Sequence, residues 1–298
     1  MASPMYRHLS SNANRQLWYG WRFQIRPLVK AGHRVIVPSM PGYCETEDPR
    51  PFEFYTFKRI AADMVALLAS LGISKAIYIG HDWGSAIVQR VALWYPDHVI
   101  AVAALCVPFL RPSPTFVSLE EMVQQFPNFA YQLWFANPES EKVLSTPNNI
   151  ERFLKSLFRV KGDKPVTWNT GKNPMDAMGD PPLGRLWENK VAWEYFLQSF
   201  QRKGSLRGPL MYYKTKGLNY RDELEIVDTA KIQCPALFIG AKEDKALPPQ
   251  TWERQDWVPQ LERYSVSTGH WCLIEKDGKE IAPLIQSWVA EVSKQSKL

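Results

Sequence analysis

The 298-residue sequence predicts an α/β fold, a mostly parallel sheet interrupted by a helical insert. Three observations lead there. Short β-branched runs alternate with helically spaced apolar residues up to Pro108. From about Ser118 to Lys216 the chain is rich in Trp, Tyr and Phe at helical spacing, with no strong strand. The alternation then resumes.

Taken in order, His33 to Met40 (HRVIVPSM) reads as a strand, and Ile60, Met64, Val65, Leu67, Leu68 and Leu71 recur at helical spacing until Gly72 stops the helix. Lys75 to Ile79 reads as a buried strand, Ser85 to Tyr95 as a helix ended by Pro96, and Val99 to Cys106 as a further strand. Helices are expected over Glu120 to Phe135, Ile150 to Arg159 and Trp187 to Phe200. After them come a strand at Ala236 to Gly240, a helix near Gln250 to Trp257, a strand near Glu262 to Val266 and an amphipathic helix from Lys279 to about Lys294. The expected organisation is a core over 1–110 and 221–298, with a helical cap over 111–220 at the carboxyl ends of the strands, where open parallel sheets place their ligands.

Composition excludes several classes. At 45% hydrophobic and 22% charged the chain is neither disordered nor fibrous. The longest apolar stretch, Val99 to Leu110, is about half of a bilayer span and is broken by Pro108, so no membrane span is expected. The net charge of +6 is spread over 36 basic and 30 acidic residues with no basic block, which speaks against a nucleic-acid partner. Cys44, Cys106, Cys234 and Cys272 are far apart, without Cys-x-x-Cys spacing, and read as four reduced thiols. No secretory h-region opens the chain.

The sharpest motif is Gly80-His81-Asp82-Trp83-Gly84, following a strand and opening a helix. It has the shape of a nucleophile elbow, with small residues flanking a strained central position. The central residue is Asp82, and a carboxylate nucleophile attacks a saturated carbon bearing a leaving group to form an alkyl-enzyme ester. The five residues alone are equally compatible with a turn whose Asp caps a helix. The downstream order favours the elbow: Asp244 ends a strand and His270 follows the next one, giving nucleophile, acid, histidine, the order of the α/β-hydrolase fold. His270 would activate water against the ester, with Asp244 holding its tautomer.

On these residues the chain resembles the epoxide-hydrolase branch of the α/β-hydrolase superfamily, over about Leu17 to Val292. The likeness is carried by the elbow and the following Ser85-Ala86, by Leu17-Trp18-Tyr19-Gly20-Trp21-Arg22-Phe23-Gln24-Ile25, by Gly269-His270-Trp271 and by the cap. The elbow alone is shared with haloalkane dehalogenases. Two cap phrases, Phe129 to Phe135 and Arg207 to Lys214, match the segments carrying the family's epoxide-gripping tyrosines, which implies that Tyr131 and Tyr213 protonate the opening ring. Packing within an aromatic cap is the alternative for either tyrosine alone. The resemblance further implies a hydrolase that needs no metal or organic cofactor, with Asp82, Asp244, His270, Tyr131 and Tyr213 as catalytic residues. Trp83 would supply its backbone N–H to the oxyanion hole and its indole to the pocket. The expected substrate is a small or fatty-acid-derived epoxide.

Two departures stand beside this likeness. Family members normally carry a His-Gly-x-Pro turn that gives a second oxyanion donor, whereas the corresponding segment here is Asn12-Ala13-Asn14-Arg15, so that truncated N-terminal strands are expected, with the central strand near Met5 to Ser10. A truncated reading frame, a short member that rebuilds the turn and a degenerate protein all fit. Catalytically impaired ligand binding and dehalogenase-like chemistry are the rival functions. Cys44, in Pro41-Gly42-Tyr43-Cys44, stands where the family usually has glycine.

The last three residues, Ser296-Lys297-Leu298, match the peroxisomal import tripeptide and imply a peroxisomal location and an import receptor as partner. A short peroxisomal member looks similar to hydrolases of fungal secondary-metabolite clusters, including those that build epoxide-bearing host-selective toxins.

Overall fold

The computed structural model describes residues 7–11, 18–48, 51–164, 166, 174–249 and 256–295. The chain divides into two compact units, the first formed by Met1–Met40, Thr56–Pro114 and Asn219–Leu298, the second by Pro41–Tyr55 and Thr115–Leu218.

Among the described residues the first unit is built on a six-stranded sheet: β1 (Arg7–Ser11), β2 (Arg34–Ile36), β3 (Ala76–His81), β4 (Val99–Leu105), β5 (Ala236–Ala241) and β6 (Leu261–Val266). The order is β2-β1-β3-β4-β5-β6 and every pairing is parallel. β1 lies inside the sheet, His8 opposite Ile77 on one side and Val35 on the other, so a strand does form where the sequence placed it. β3 and β5 are buried along their whole length, which is why both read as unbroken apolar runs. β2 is an edge strand and ends before Pro38, whose missing N–H cannot extend the ladder. β6, at the other edge, exposes Glu262 to Ser265 in part.

The helices α1 (Arg22–Lys30), α2 (Phe57–Ser70) and α3 (Trp83–Trp94) follow from local chemistry. Thr56 caps α2 by accepting the Arg59 N–H, and Phe57, Ile60, Ala61, Met64 and Leu68 make its buried face. α3 is buried from Gly84 to Ala92, so its one charge, Arg90, is compensated by Glu223 at 2.8 Å and by the Leu110 carbonyl at 2.7 Å. The last described helix, Ile281–Gln295, buries Ile281, Ile285, Trp288, Val289 and Val292. The helix expected near Gln250 to Trp257 falls mostly outside the described residues, as do Asn12 to Arg15 and Ser296 to Leu298. Among the described residues no helix is long and apolar enough to cross a membrane.

The second unit is helical. The expected helix over Glu120 to Phe135 is three pieces, Leu119–Gln125, the 3-10 turn Pro127–Phe129 and Tyr131–Ala136. Pro127 forces Phe126 out of helical conformation, to φ −130° and ψ 81°. Helices Pro147–Leu157 and Lys190–Gln201 pack their aromatic faces inward, with the Trp187 and Phe196 rings stacked at 4.5 Å.

Pro41–Tyr55, which the sequence pattern grouped with the core strands, clusters with these helices. The reasons are long-range. Gly42, at φ +83°, lies so close to Gly208 that a Cβ on Gly42 would stand 2.6 Å from the Gly208 Cα. Arg207 pairs with Asp48, which also accepts from the Tyr55 hydroxyl, and the Tyr212 hydroxyl donates to the Pro41 carbonyl at 3.1 Å. Cys44 has φ +45°, a left-handed backbone that favours glycine and accounts for the residue expected there.

Candidate active site

The turn between β3 and α3 is made by its small residues. A Cβ on Gly80 would fall 2.1 Å from the Gly84 carbonyl oxygen, so the first turn of α3 can cross the strand end only if position 80 is glycine. Asp82 takes φ +53° and ψ −122°, a strained backbone for a non-glycine residue. Three bonds hold it: its N–H donates to the Leu105 carbonyl at 3.2 Å, and its carbonyl accepts from Ser85 N at 2.8 Å and Ala86 N at 3.3 Å. The buried Ser85 hydroxyl lies 2.8 Å from both the Gly80 and Leu105 carbonyls and accepts the Leu105 N–H at 2.9 Å, tying β3, the turn and β4 together. The Asp82 side chain makes no capping hydrogen bond to the second or third residue of α3, and the only α3 amide it meets is that of Trp83, the first. The carboxylate is therefore left to other partners, and the helix-capping alternative is not realised.

Asp244 follows β5 and His270 follows β6, so both stand with Asp82 at the carboxyl end of the sheet. His270 Nδ1 lies 2.7 Å from Asp244 Oδ2, and Nε2 lies 3.3 Å from Asp82 Oδ1. Asp244 is wholly buried, and its Oδ1 accepts the backbone N–H groups of Ala246 at 2.8 Å and Leu247 at 3.0 Å. The Asp82 and His270 side chains keep 15% and 17% of their surface open.

The electrostatics follow from burial and pairing. Burial alone would raise the Asp82 pKa, but the hydrogen bond and charge of His270, the nearby His81 and the Trp83 backbone N–H together hold it below the usual carboxylate range. Asp244 is held low in the same way, burial being outweighed by His270 and by the Leu247 and Ala246 amides. Burial opposes charge on His270, yet Asp244 first and Asp82 second hold its pKa well above the ordinary imidazole value. Each of the two carboxylates thus favours the charged form of the imidazole between them, and it favours theirs.

The site has supports that motif reading did not single out. His81 Nε2 lies 2.8 Å from the His270 carbonyl, and the Cys106 thiol donates to the same oxygen at 3.5 Å. Gly269 N–H donates to the buried Glu275 carboxylate at 2.9 Å, fixing the residue before His270. His81 was visible as part of the elbow, but its reach to His270 spans 189 residues and has no local pattern. The Trp83 ring packs against Phe57, with centroids 5.8 Å apart.

Tyr131 and Tyr213 belong to the second unit, where the fold brings them together. Their ring centroids are 6.3 Å apart, edge to face, and both rest on buried Phe135 at 5.2 and 4.9 Å. Tyr213 lies between two anchored neighbours, Tyr212 on the Pro41 carbonyl and Lys214 on Glu141, which also faces Arg207. Both tyrosines are half-buried.

Residues 11–277 match the model of the alpha/beta hydrolase fold family. The chain belongs to that family. It is 30% identical over 281 residues to epoxide hydrolase A of Mycobacterium tuberculosis, covering 91% of this chain and 86% of that protein, which places it in the epoxide-hydrolase-like branch, a group of hydrolases. It is 34% identical over 278 residues to bifunctional epoxide hydrolase 2 of Sus scrofa, 91% of this chain but 49% of that protein, so the chain spans about half the length of this mammalian relative. A crystal structure of an epoxide hydrolase from Vigna radiata superposes with a TM-score of 0.82 at 24% identity, over 96% of this chain and 92% of that one, a likeness of fold. The expectation of an α/β-hydrolase of epoxide-hydrolase type is thus met.

Proposed function

We propose that this α/β-hydrolase opens epoxides through an alkyl-enzyme ester on Asp82. The observation that carries the reading is a carboxylate on a strained elbow with His270 Nε2 3.3 Å away and that histidine anchored on Asp244. The Asp82 carboxylate attacks a ring carbon and the carbon–oxygen bond breaks. The oxygen keeps the electron pair and takes a proton from Tyr131 or Tyr213. His270 then removes a proton from water, which adds to the ester carbonyl, while the Trp83 N–H that already supports the Asp82 carboxylate steadies the oxyanion. The ester C–O bond breaks, the leaving alkoxide takes the proton from His270, and a vicinal diol departs. Alkylation itself prepares the second step. It removes one of the two carboxylate charges that favour the protonated imidazole, so His270 passes that proton back to the tyrosinate left by ring opening and is a base when a base is needed.

The test is incubation of the protein with aliphatic and aryl epoxides, following diol release and intact mass. Diol, or an adduct mapping to Asp82, supports the reading; neither product from folded protein sinks it. Tyr131→Phe and Tyr213→Phe are each expected to slow epoxide opening about 100-fold, the low end of what a positioned acid supplies. Unchanged rates in both variants would favour dehalogenase-like chemistry.

The same reading places the enzyme in the peroxisome, recognised by the import receptor through Ser296-Lys297-Leu298, and working on small or fatty-acid-derived epoxides in secondary metabolism such as toxin formation. Its support is the terminal tripeptide together with the resemblance to fungal cluster hydrolases. An N-terminal fluorescent fusion should be punctate and become diffuse when Leu298 is deleted. A diffuse signal in both would remove the assignment.

A further inference from the structure

Directly behind His270 lies a cluster that the proposed chemistry does not use. His81 at the end of β3, Cys106 just after β4 and Cys272 two residues beyond His270 are each 0% exposed. A His81 ring nitrogen and the two sulfurs all lie within 4.8 Å of one another. The sulfurs are 3.6 Å apart. Two thiolates bound to one ion at about 2.3 Å in a tetrahedral or trigonal arrangement stand about 3.8–4.0 Å apart, so the sulfurs need to move by only a few tenths of an ångström.

The histidine is set in the tautomer that a metal requires. Nε2 faces the His270 carbonyl at 2.8 Å, and a carbonyl only accepts, so Nε2 carries the hydrogen. Nδ1 therefore keeps its lone pair, and it is buried, with the Cys272 thiol as its neighbour. A histidine ligand whose second nitrogen donates to a backbone carbonyl is the usual arrangement at metal sites. Cys106 adds an independent mark. It holds φ +66°, a strained backbone for a residue other than glycine, and in that conformation its thiol reaches Cys272.

We infer that His81, Cys106 and Cys272 form a binding site for a thiophilic divalent metal ion such as Zn2+, made of side chains that take no direct part in the proposed hydrolysis but adjoin His270. One soft nitrogen and two thiols are the donor set that selects zinc-like ions over magnesium or calcium. Binding is a proton-for-metal exchange: the ion takes both sulfur electron pairs and the Nδ1 pair, and two thiol protons pass to solvent. No oxidant or reductant takes part.

The probe is Cd2+ alone, titrated into the full chain under reducing conditions and followed to equilibrium by the thiolate-to-metal charge-transfer absorption in the ultraviolet and by proton release. The expected result is one ion per chain with a two-thiolate band, displaced by Zn2+. Cys272→Ser should weaken binding by more than the about 10- to 100-fold that loss of a group supporting a ligand costs. Cys106→Ser should do the same. If Cys106→Ser fails to fold by circular dichroism, Cys272→Ser decides alone. Cys44→Ser and Cys234→Ser should leave the band unchanged. Absence of a band at saturating Cd2+, a band that Cys272→Ser leaves unchanged, or a band that disappears with either control substitution overturns the site.

Discussion

Replacing His270 by glutamine is expected to stop turnover at its midpoint, with the enzyme caught as an ester. Opening the epoxide needs the Asp82 carboxylate and an acid for the oxygen, and neither is His270. Releasing the product needs a base that can take a proton from water, and glutamine is none. Intact-protein mass should rise by the mass of one epoxide, the increment should map to Asp82, and steady-state diol formation should fall about 10⁴-fold or more, the range in which loss of a histidine base falls in other triads. The first step should slow as well. His270 is the largest of the favourable influences on the Asp82 carboxylate, and without it burial pulls the pKa upward. Asp82 is then ionised over less of the pH range, so the adduct should form more readily as pH rises. A His270→Gln protein that is folded, releases diol at an undiminished rate and carries no adduct would contradict the assignment of His270 as the base.

The parts of this site that were legible in the sequence are those held by local rules. Gly80 and Gly84 bracket Asp82 because strand and helix must nearly touch there, and that need is written within five residues. The order Asp82, Asp244, His270 was readable because each follows a strand, and parallel strands deliver their ends to one side. Tyr131 and Tyr213 were found by likeness to family phrases, since aromatic residues in a helical cap have no period that separates an acid from a packing residue. What escaped was long-range. Cys106 and Cys272 are 166 residues apart and show no ligand spacing, so four scattered cysteines read as unrelated thiols. Arg207 and Asp48 are 159 residues apart, and that pair helps to move Pro41–Tyr55 out of the unit to which its sequence neighbours belong. The helix expected across Glu120 to Phe135 failed for a local reason that periodicity outvoted, the backbone restriction imposed by Pro127 on Phe126.

Asp244→Asn tests the remaining member of the triad, and its geometry dictates how the substitution acts. Asp244 Oδ1 is fixed by two amides, Ala246 N and Leu247 N, and Oδ2 faces His270 Nδ1. An asparagine keeps its carbonyl oxygen on the two amides, because only an oxygen accepts there, and so turns its NH₂ toward His270. The NH₂ group donates, Nδ1 must accept, and the imidazole proton moves to Nε2. That nitrogen faces Asp82 and the attacking water, and with a hydrogen already on it the histidine takes no proton from water. The loss expected in turnover is about 10⁴-fold, as for the same exchange in a serine triad. The charge effect has its own signature. Asp244 is the foremost influence raising the His270 pKa against burial, so removing its charge lets that pKa fall. Since the base must be neutral, the acid limb of the residual rate against pH should shift to lower pH than in the parent enzyme. A merely structural role for Asp244 would lower the rate and the melting temperature without moving that limb. Asp244→Asn with near-parental turnover would remove Asp244 from the triad.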